Sequence, residues 1–196
     1  MKLITFQPLK VLETINNSGE YIPEDKEFIG RRVFCLKLDE NTMENMFITA
    51  PSMPQVLIEL DVDDSRVEIL DYLEWVNYLN GHRKYTGKYA EKVKYKEYAL
   101  SSIKSSDIVR VIHVSDSDNP DVVQDAFMDS HFEYIEKLSG YKWKRNSDSS
   151  MKKWWGTADS YNFVQKITHC MMPQKTLTDK ELEEAHRLIR ETFILK

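Results

Sequence analysis

Cysteine does little in this chain. Cys35 and Cys170 are far apart and lack Cys-x-x-Cys spacing, which excludes a disulfide scaffold and a cysteine-based zinc framework and fits a reducing compartment. Long apolar runs are missing too. No stretch approaches the roughly 18 residues that a membrane-spanning helix needs, and the apolar part of the opening Met1-Lys2-Leu3-Ile4-Thr5-Phe6 is too short for a signal-peptide core. We therefore expect a cytoplasmic protein without membrane contact. Neither sign of charge dominates. The 27 Lys and Arg against 32 Asp and Glu leave a formal net charge of -5, which excludes a strongly cationic nucleic-acid coat but leaves room for a local basic patch. His82, His113, His131, His169 and His186 show no metal-site spacing, so no metal is expected. Phosphate-binding loops, nucleophile elbows, dinucleotide fingerprints, repeats and low-complexity tracts are also absent.

What is present is ordinary for a globular chain: 196 residues, 41% hydrophobic and 30% charged. Residues 3–6 read as a strand, followed by Pro8 and a helix through Leu9, Leu12 and Ile15 that Gly19 ends. Residues 31–38 are a strand candidate, 39–45 a turn region and 46–49 a short apolar run. The clearest strand is 56–62, where Val56, Ile58, Leu60 and Val62 alternate with Gln55, Glu59 and Asp61. Asp71 with Glu74 reads as a capping box for a helix reaching Asn80. Residues 81–91, rich in glycine, tyrosine and basic residues, read as a mobile loop. After Val114 strand signals fade and helical spacing takes over. Residues 141–153 read as a loop, and Thr178 with Glu181 caps a C-terminal amphipathic helix. The division this implies is an α+β core over residues 1–115 and a helical annex over 116–196 packed on it.

Residues 93–112 carry the most informative pattern. Two β-type runs, 92–100 and 108–114, flank a polar turn. Alternation in the first puts Val93, Tyr95, Glu97 and Ala99 on one face and Lys94, Lys96, Tyr98 and Leu100 on the other. A glutamate placed mid-strand among such neighbours is paired, functional, or on a water-facing edge. The residues alone leave all three open.

The strand Thr5-Phe6-Gln7, the helix ending at Gly19, the strand at 56–62, and Tyr95-x-Glu97 followed by Ile108-Val-Arg-Val-Ile112 come in an order that resembles the ADP-ribosyltransferase superfamily, particularly its small bacterial toxin-like members. The chain also resembles an uncharacterised bacterial domain family with a Thr-Ile-Gln-Pro-like first strand, through Thr5-Phe6-Gln7-Pro8, Asp71-Tyr-Leu-Glu-Trp75 and Leu79-Asn80. The superfamily resemblance implies a curved mixed or split β-sheet core, NAD as cofactor, and transfer of ADP-ribose to nucleic acid or protein in a toxin or phage-conflict setting. It implies that Glu97 is catalytic, stabilising the oxocarbenium-like centre left as nicotinamide departs, and that Tyr95 meets the acceptor or the ribose. Where the superfamily usually has a first-strand Arg or His, this chain has Gln7 with Thr5 beside it, and a neutral amide can still hydrogen-bond a ribose or carboxamide. Arg31 and Arg32 would contact the pyrophosphate, or are the solvated start of a strand. An antitoxin or inhibitor protein is a further implied partner. A non-catalytic protein-binding module of similar fold is the alternative.

A second cluster alternates cations with indoles: Lys142, Trp143, Lys144 and Arg145, then Lys152 and Lys153 before Trp154 and Trp155. This composition suits a single-stranded nucleic-acid surface. It equally suits indoles that pack a core beside incidental lysines.

Overall fold

The computed structural model describes residues 1–26, 30–49, 54–79, 94–146, 151–171 and 176–196, so the loop expected at 81–91 and the first residues of the 92–100 run lie outside it. The first part of the chain gives β1 (Lys2–Gln7), α1 (Leu9–Ser18), β2 (Glu20–Tyr21), β3 (Val33–Lys37), α2 (Thr42–Thr49), β4 (Val56–Asp61), β5 (Val67–Asp71), α3 (Tyr72–Leu79), β6 (Lys96–Leu100), β7 (Ile103–Lys104) and β8 (Ile108–His113). Then follow α4 (Pro120–Ser139), β9 (Trp143–Arg145), α5 (Met151–Trp154), α6 (Ala158–Met171), α7 (Asp179–Thr192) and β10 (Phe193–Leu195). The class is α+β. No helix among the described residues is long and apolar enough to cross a membrane.

Six strands form one sheet in the order β5-β6-β3-β1-β4-β8. Every registered pair is antiparallel, so the sheet is not mixed. In the central strands β1 and β4, Leu3 to Phe6 and Val56 to Leu60 are buried without a break, the mark of strands covered on both faces. On one face α1 lays Val11 and Ile15 against Leu3, Val33, Cys35, Ile58 and Leu60. On the other, Ile4, Phe6, Leu36, Leu57 and Ile112 meet α2, α4, α6 and α7. Each fully buried Leu or Ile here contributes about 1.5–3 kcal/mol.

Helix ends follow the sequence closely. Gly19 caps α1 at φ 82°, with its N–H donated to Ile15 O at 2.8 Å, a left-handed conformation that glycine adopts without strain. Pro8 offers no side-chain cap, and Gln55 does this from a distance: Leu9 N–H donates to its Oε1 at 2.8 Å. Asp71 accepts from Leu73 N at 2.9 Å and from Glu74 N at 3.2 Å. Thr178 and Glu181 form the expected capping box of α7.

Three local readings are corrected. Residues 39–41 turn as expected, but 42–45 and the apolar run at 46–49 form α2, because Met43, Met46 and Ile48 are buried in one cluster with Leu182, Ala185 and Ile189 of α7. Residues 67–71, unassigned by pattern, form the edge strand β5, whose Leu70 faces Glu97. Part of the loop expected at 141–153 is β9, paired with β10 from Arg145–Phe193 to Trp143–Leu195.

One irregularity positions everything that follows. Between β1 and β3 the ladder runs only through Leu3–Lys37 and Ile4–Leu36. β1 then continues with β4 as far as Gln7–Val56, while β3 continues with β6 as far as Val33–Leu100. The sheet parts there, and the two strands diverge.

Candidate functional site: a cleft where the sheet parts

A cavity of about 810 Å³ occupies the parting, within the roughly 300–1,000 Å³ typical of small-molecule sites. Lys10, Val11 and Thr14 of α1 line it from one face of the sheet, and Tyr72, Trp75 and Val76 from the other. Between them lie Gln7 at the end of β1, Phe34, Cys35 and Leu36 of β3, and Glu97 of β6.

Strand edges that separate leave backbone groups to satisfy. Thr5, fully buried, donates its hydroxyl to Phe34 O at 3.0 Å and so bridges the parted strands. Its oxygen accepts from Gln7 Nε2 at 2.6 Å, which turns the Gln7 amide along the cleft. Phe34 stacks on Trp75 at 5.1 Å and gives the cleft a flat aromatic wall.

Glu97 is 6% exposed. Its carboxyl has no hydrogen bond or ion pair among the described residues, and burial pushes it up to about 8. Its nearest titratable neighbours are neutral as well: burial raises both the Cys35 thiol and the Tyr72 phenol, and the Glu97 carboxyl adds to each effect. Tyr72 donates to Ile48 O at 2.9 Å. A buried acid without a partner, aimed into a cavity, is costly to maintain and is well suited to receiving positive charge.

The structure thus gathers Gln7, Glu97 and Arg32 at one cleft, while Thr5 is fully buried and reaches it only through its bond to Gln7. It places the other expected residues elsewhere. Arg32 lines the cavity, but its Nε and Nη2 each lie 2.7 Å from a Glu68 oxygen. Arg31 is exposed and lies 3.9 Å from Asp25. Tyr95 precedes β6 instead of lying within it, so strand alternation does not carry it to the Glu97 side. It lines a separate cavity of about 360 Å³, stacks on His186 at 4.9 Å and donates to Glu183 at 3.1 Å. Lys94 also pairs with Glu183 and holds that carboxyl down to about 2.

The basic cluster is spread around packed indoles. Trp154 is 2% exposed, and Trp143 and Trp155 are half-buried against the same core. Arg145 lies over the Trp154 ring at 4.9 Å. Lys142 and Lys153 are exposed, Lys144 is half-buried in β9, and the Lys152 side chain lies outside the described residues.

Pattern reading missed Cys35, Phe34, Tyr72, Trp75, Lys10 and Lys26 as cleft residues. Lys10 and Lys26 have no acidic partner among the described residues and stand exposed at the rim. Nothing in their local sequence marks them, because the parting of two distant strands brings them together. Compared with protein-family models, with curated proteins and with solved structures, the chain matches none.

Proposed function

We propose that the chain is an NAD-dependent ADP-ribosyltransferase acting on nucleic acid or protein. One observation carries this reading: a buried Glu97 without a partner among the described residues lines a dinucleotide-sized cleft together with Gln7, whose amide donates to the Thr5 hydroxyl. Loss of nicotinamide leaves positive charge on the ribose, and a carboxylate held out of water beside that charge stabilises the transition state. Gln7 Oε1, which has no partner among the described residues, is positioned to accept from a ribose hydroxyl or carboxamide. Lys10 and Lys26 take the phosphate role in place of Arg31 and Arg32, since Arg32 is already held by Glu68. The reading is tested with labelled NAD and mixed nucleic-acid and protein acceptors. Label transfer by the wild type that falls on the order of a hundredfold or more in Glu97→Gln supports it.

A second reading, a non-catalytic protein-binding module of similar fold, is favoured by the placement of Arg32 on Glu68 and of Tyr95 outside the cleft. It expects no transfer and no rise in melting temperature with millimolar NAD, whereas a bound dinucleotide stabilises the folded state.

A further inference from the structure

We propose that this cleft selects a flat ring bearing positive charge, and that Glu97 releases its proton to solvent as the ring seats. The inference deepens the ADP-ribosyl-transfer reading and rests on it for the identity of the natural ligand, an oxidised nicotinamide dinucleotide.

The geometry carries it. The Phe34–Trp75 stack provides a flat apolar wall, and Glu97 lies in the same cavity with no counter-charge among the described residues. Among the described residues, no charged or titratable group facing Glu97 supplies one. From β3 comes the buried Cys35 thiol, and from α3 the Tyr72 phenol, both kept neutral by burial. Tyr21 of β2 lines the cavity with Glu24 of the following segment, and neither carries positive charge. Lys10 of α1 and Lys26 stand at the exposed rim without an ion pair to Glu97. Arg32 is spent on Glu68, and Leu70 of β5, opposite Glu97, is apolar. Glu97 is therefore a buried acid in the cleft that burial pushes towards its protonated form, with no counter-charge among the described residues. A cationic ring supplies the missing charge, the carboxyl ionises against it, and one proton goes to the buffer. A neutral ring of the same shape leaves the acid protonated. The charge state of the ligand, more than its outline, then decides affinity.

The test titrates four probes by calorimetry in two buffers of different ionisation enthalpy: NAD in its oxidised and reduced forms, the N-methylnicotinamide cation, and neutral nicotinamide. Expected is an affinity for the two cationic probes that rises about tenfold per pH unit between roughly pH 6 and 7.5, with close to one proton released. The two neutral-ring probes show neither effect, and Glu97→Gln abolishes both for the cations. Oxidised NAD that binds with no pH dependence and no proton release overturns the inference, while label transfer in the same preparation keeps the ADP-ribosyl reading alive. Proton-coupled binding of N-methylnicotinamide without any label transfer does the reverse. Failure of both cations to bind overturns the inference outright.

Discussion

Glu97→Gln should stabilise the protein at alkaline pH and not at acid pH. Burial raises the folded-state acid from its ordinary 4.5 to about 8, while the unfolded chain titrates near the ordinary value. Below about pH 4.5 both states hold the proton, and the residue has no pH-dependent effect. Between those values the unfolded state gives up its proton and the folded state keeps it, so stability falls as pH rises and has fully fallen by about pH 8. At about 1.36 kcal/mol per pH unit, the accumulated loss is roughly 5 kcal/mol. Glutamine keeps the shape and never ionises, but it brings an amide N–H group into a buried position that offers it no partner among the described residues, at a cost of about 1–3 kcal/mol. The variant should therefore be about 1–3 kcal/mol less stable than the wild type near pH 4.5 and about 2–4 kcal/mol more stable near pH 8. Urea unfolding of both proteins across this range measures the difference, in which the other titrating groups cancel. A difference that stays flat with pH, or a variant that is less stable near pH 8, would show that native Glu97 is ionised and partnered, and the reasoning about the cleft would fall with it.

Three further outcomes are expected. Asn77, fully buried, donates to Leu177 O at 2.8 Å and accepts from Leu177 N at 2.7 Å, so Asn77→Leu strands two buried backbone groups and should cost about 2–4 kcal/mol in urea unfolding. Arg110 holds the buried Glu59 carboxylate through Nε at 2.9 Å and Nη2 at 2.8 Å; because Arg110 is partly open to water, Arg110→Ala should cost about 3 kcal/mol, near the low end for breaking a buried pair. Tyr95→Phe should leave any NAD-dependent rise in melting temperature unchanged, since Tyr95 lines the other cavity, and loss of that rise would place Tyr95 in ligand binding after all.

How much of this could be read from the chain depends on the range of the interaction. Capping and periodicity are local, so Gly19, Asp71 and the Thr178–Glu181 box were readable, as was β4 with its alternating Val56, Ile58 and Leu60. Glu97 was readable as a mid-strand acid. Its lack of a partner was not, because that depends on Leu70, Cys35 and Tyr72 arriving from three other elements. Alternation misled at Tyr95 because the strand begins one residue later, and the ring turns to His186 on α7. Arg32 looked available because Glu68 lies on β5, a short edge strand with little pattern of its own. Met46 and Ile48 resembled an apolar run, and Met43 part of a turn, until α7 supplied the surface that makes them one side of a helix.

The parting of β1 from β3 and a buried Glu97 without a partner among the described residues belong to a single energetic arrangement. A closed ladder would pair residues 5–7 with 33–35 and fill the space the cleft occupies. Instead Thr5 spends its hydroxyl on Phe34 O, Gln7 Nε2 holds Thr5, and the Gln7 carbonyl accepts from Gln55 N at 3.1 Å. The side chains of Thr5 and Gln7 thus stand in for a stretch of sheet, and Trp75 gives Phe34 a stacking partner on the α3 side. Forgone strand pairs and a buried acid each cost folding free energy, and the uninterrupted burial of β1 and β4 on both faces offsets them. Local rules of strand pairing and charge compensation fail here at the same place, in an otherwise consistent sheet. Such coincidence is what a site under functional constraint produces, and it is less readily explained by packing alone.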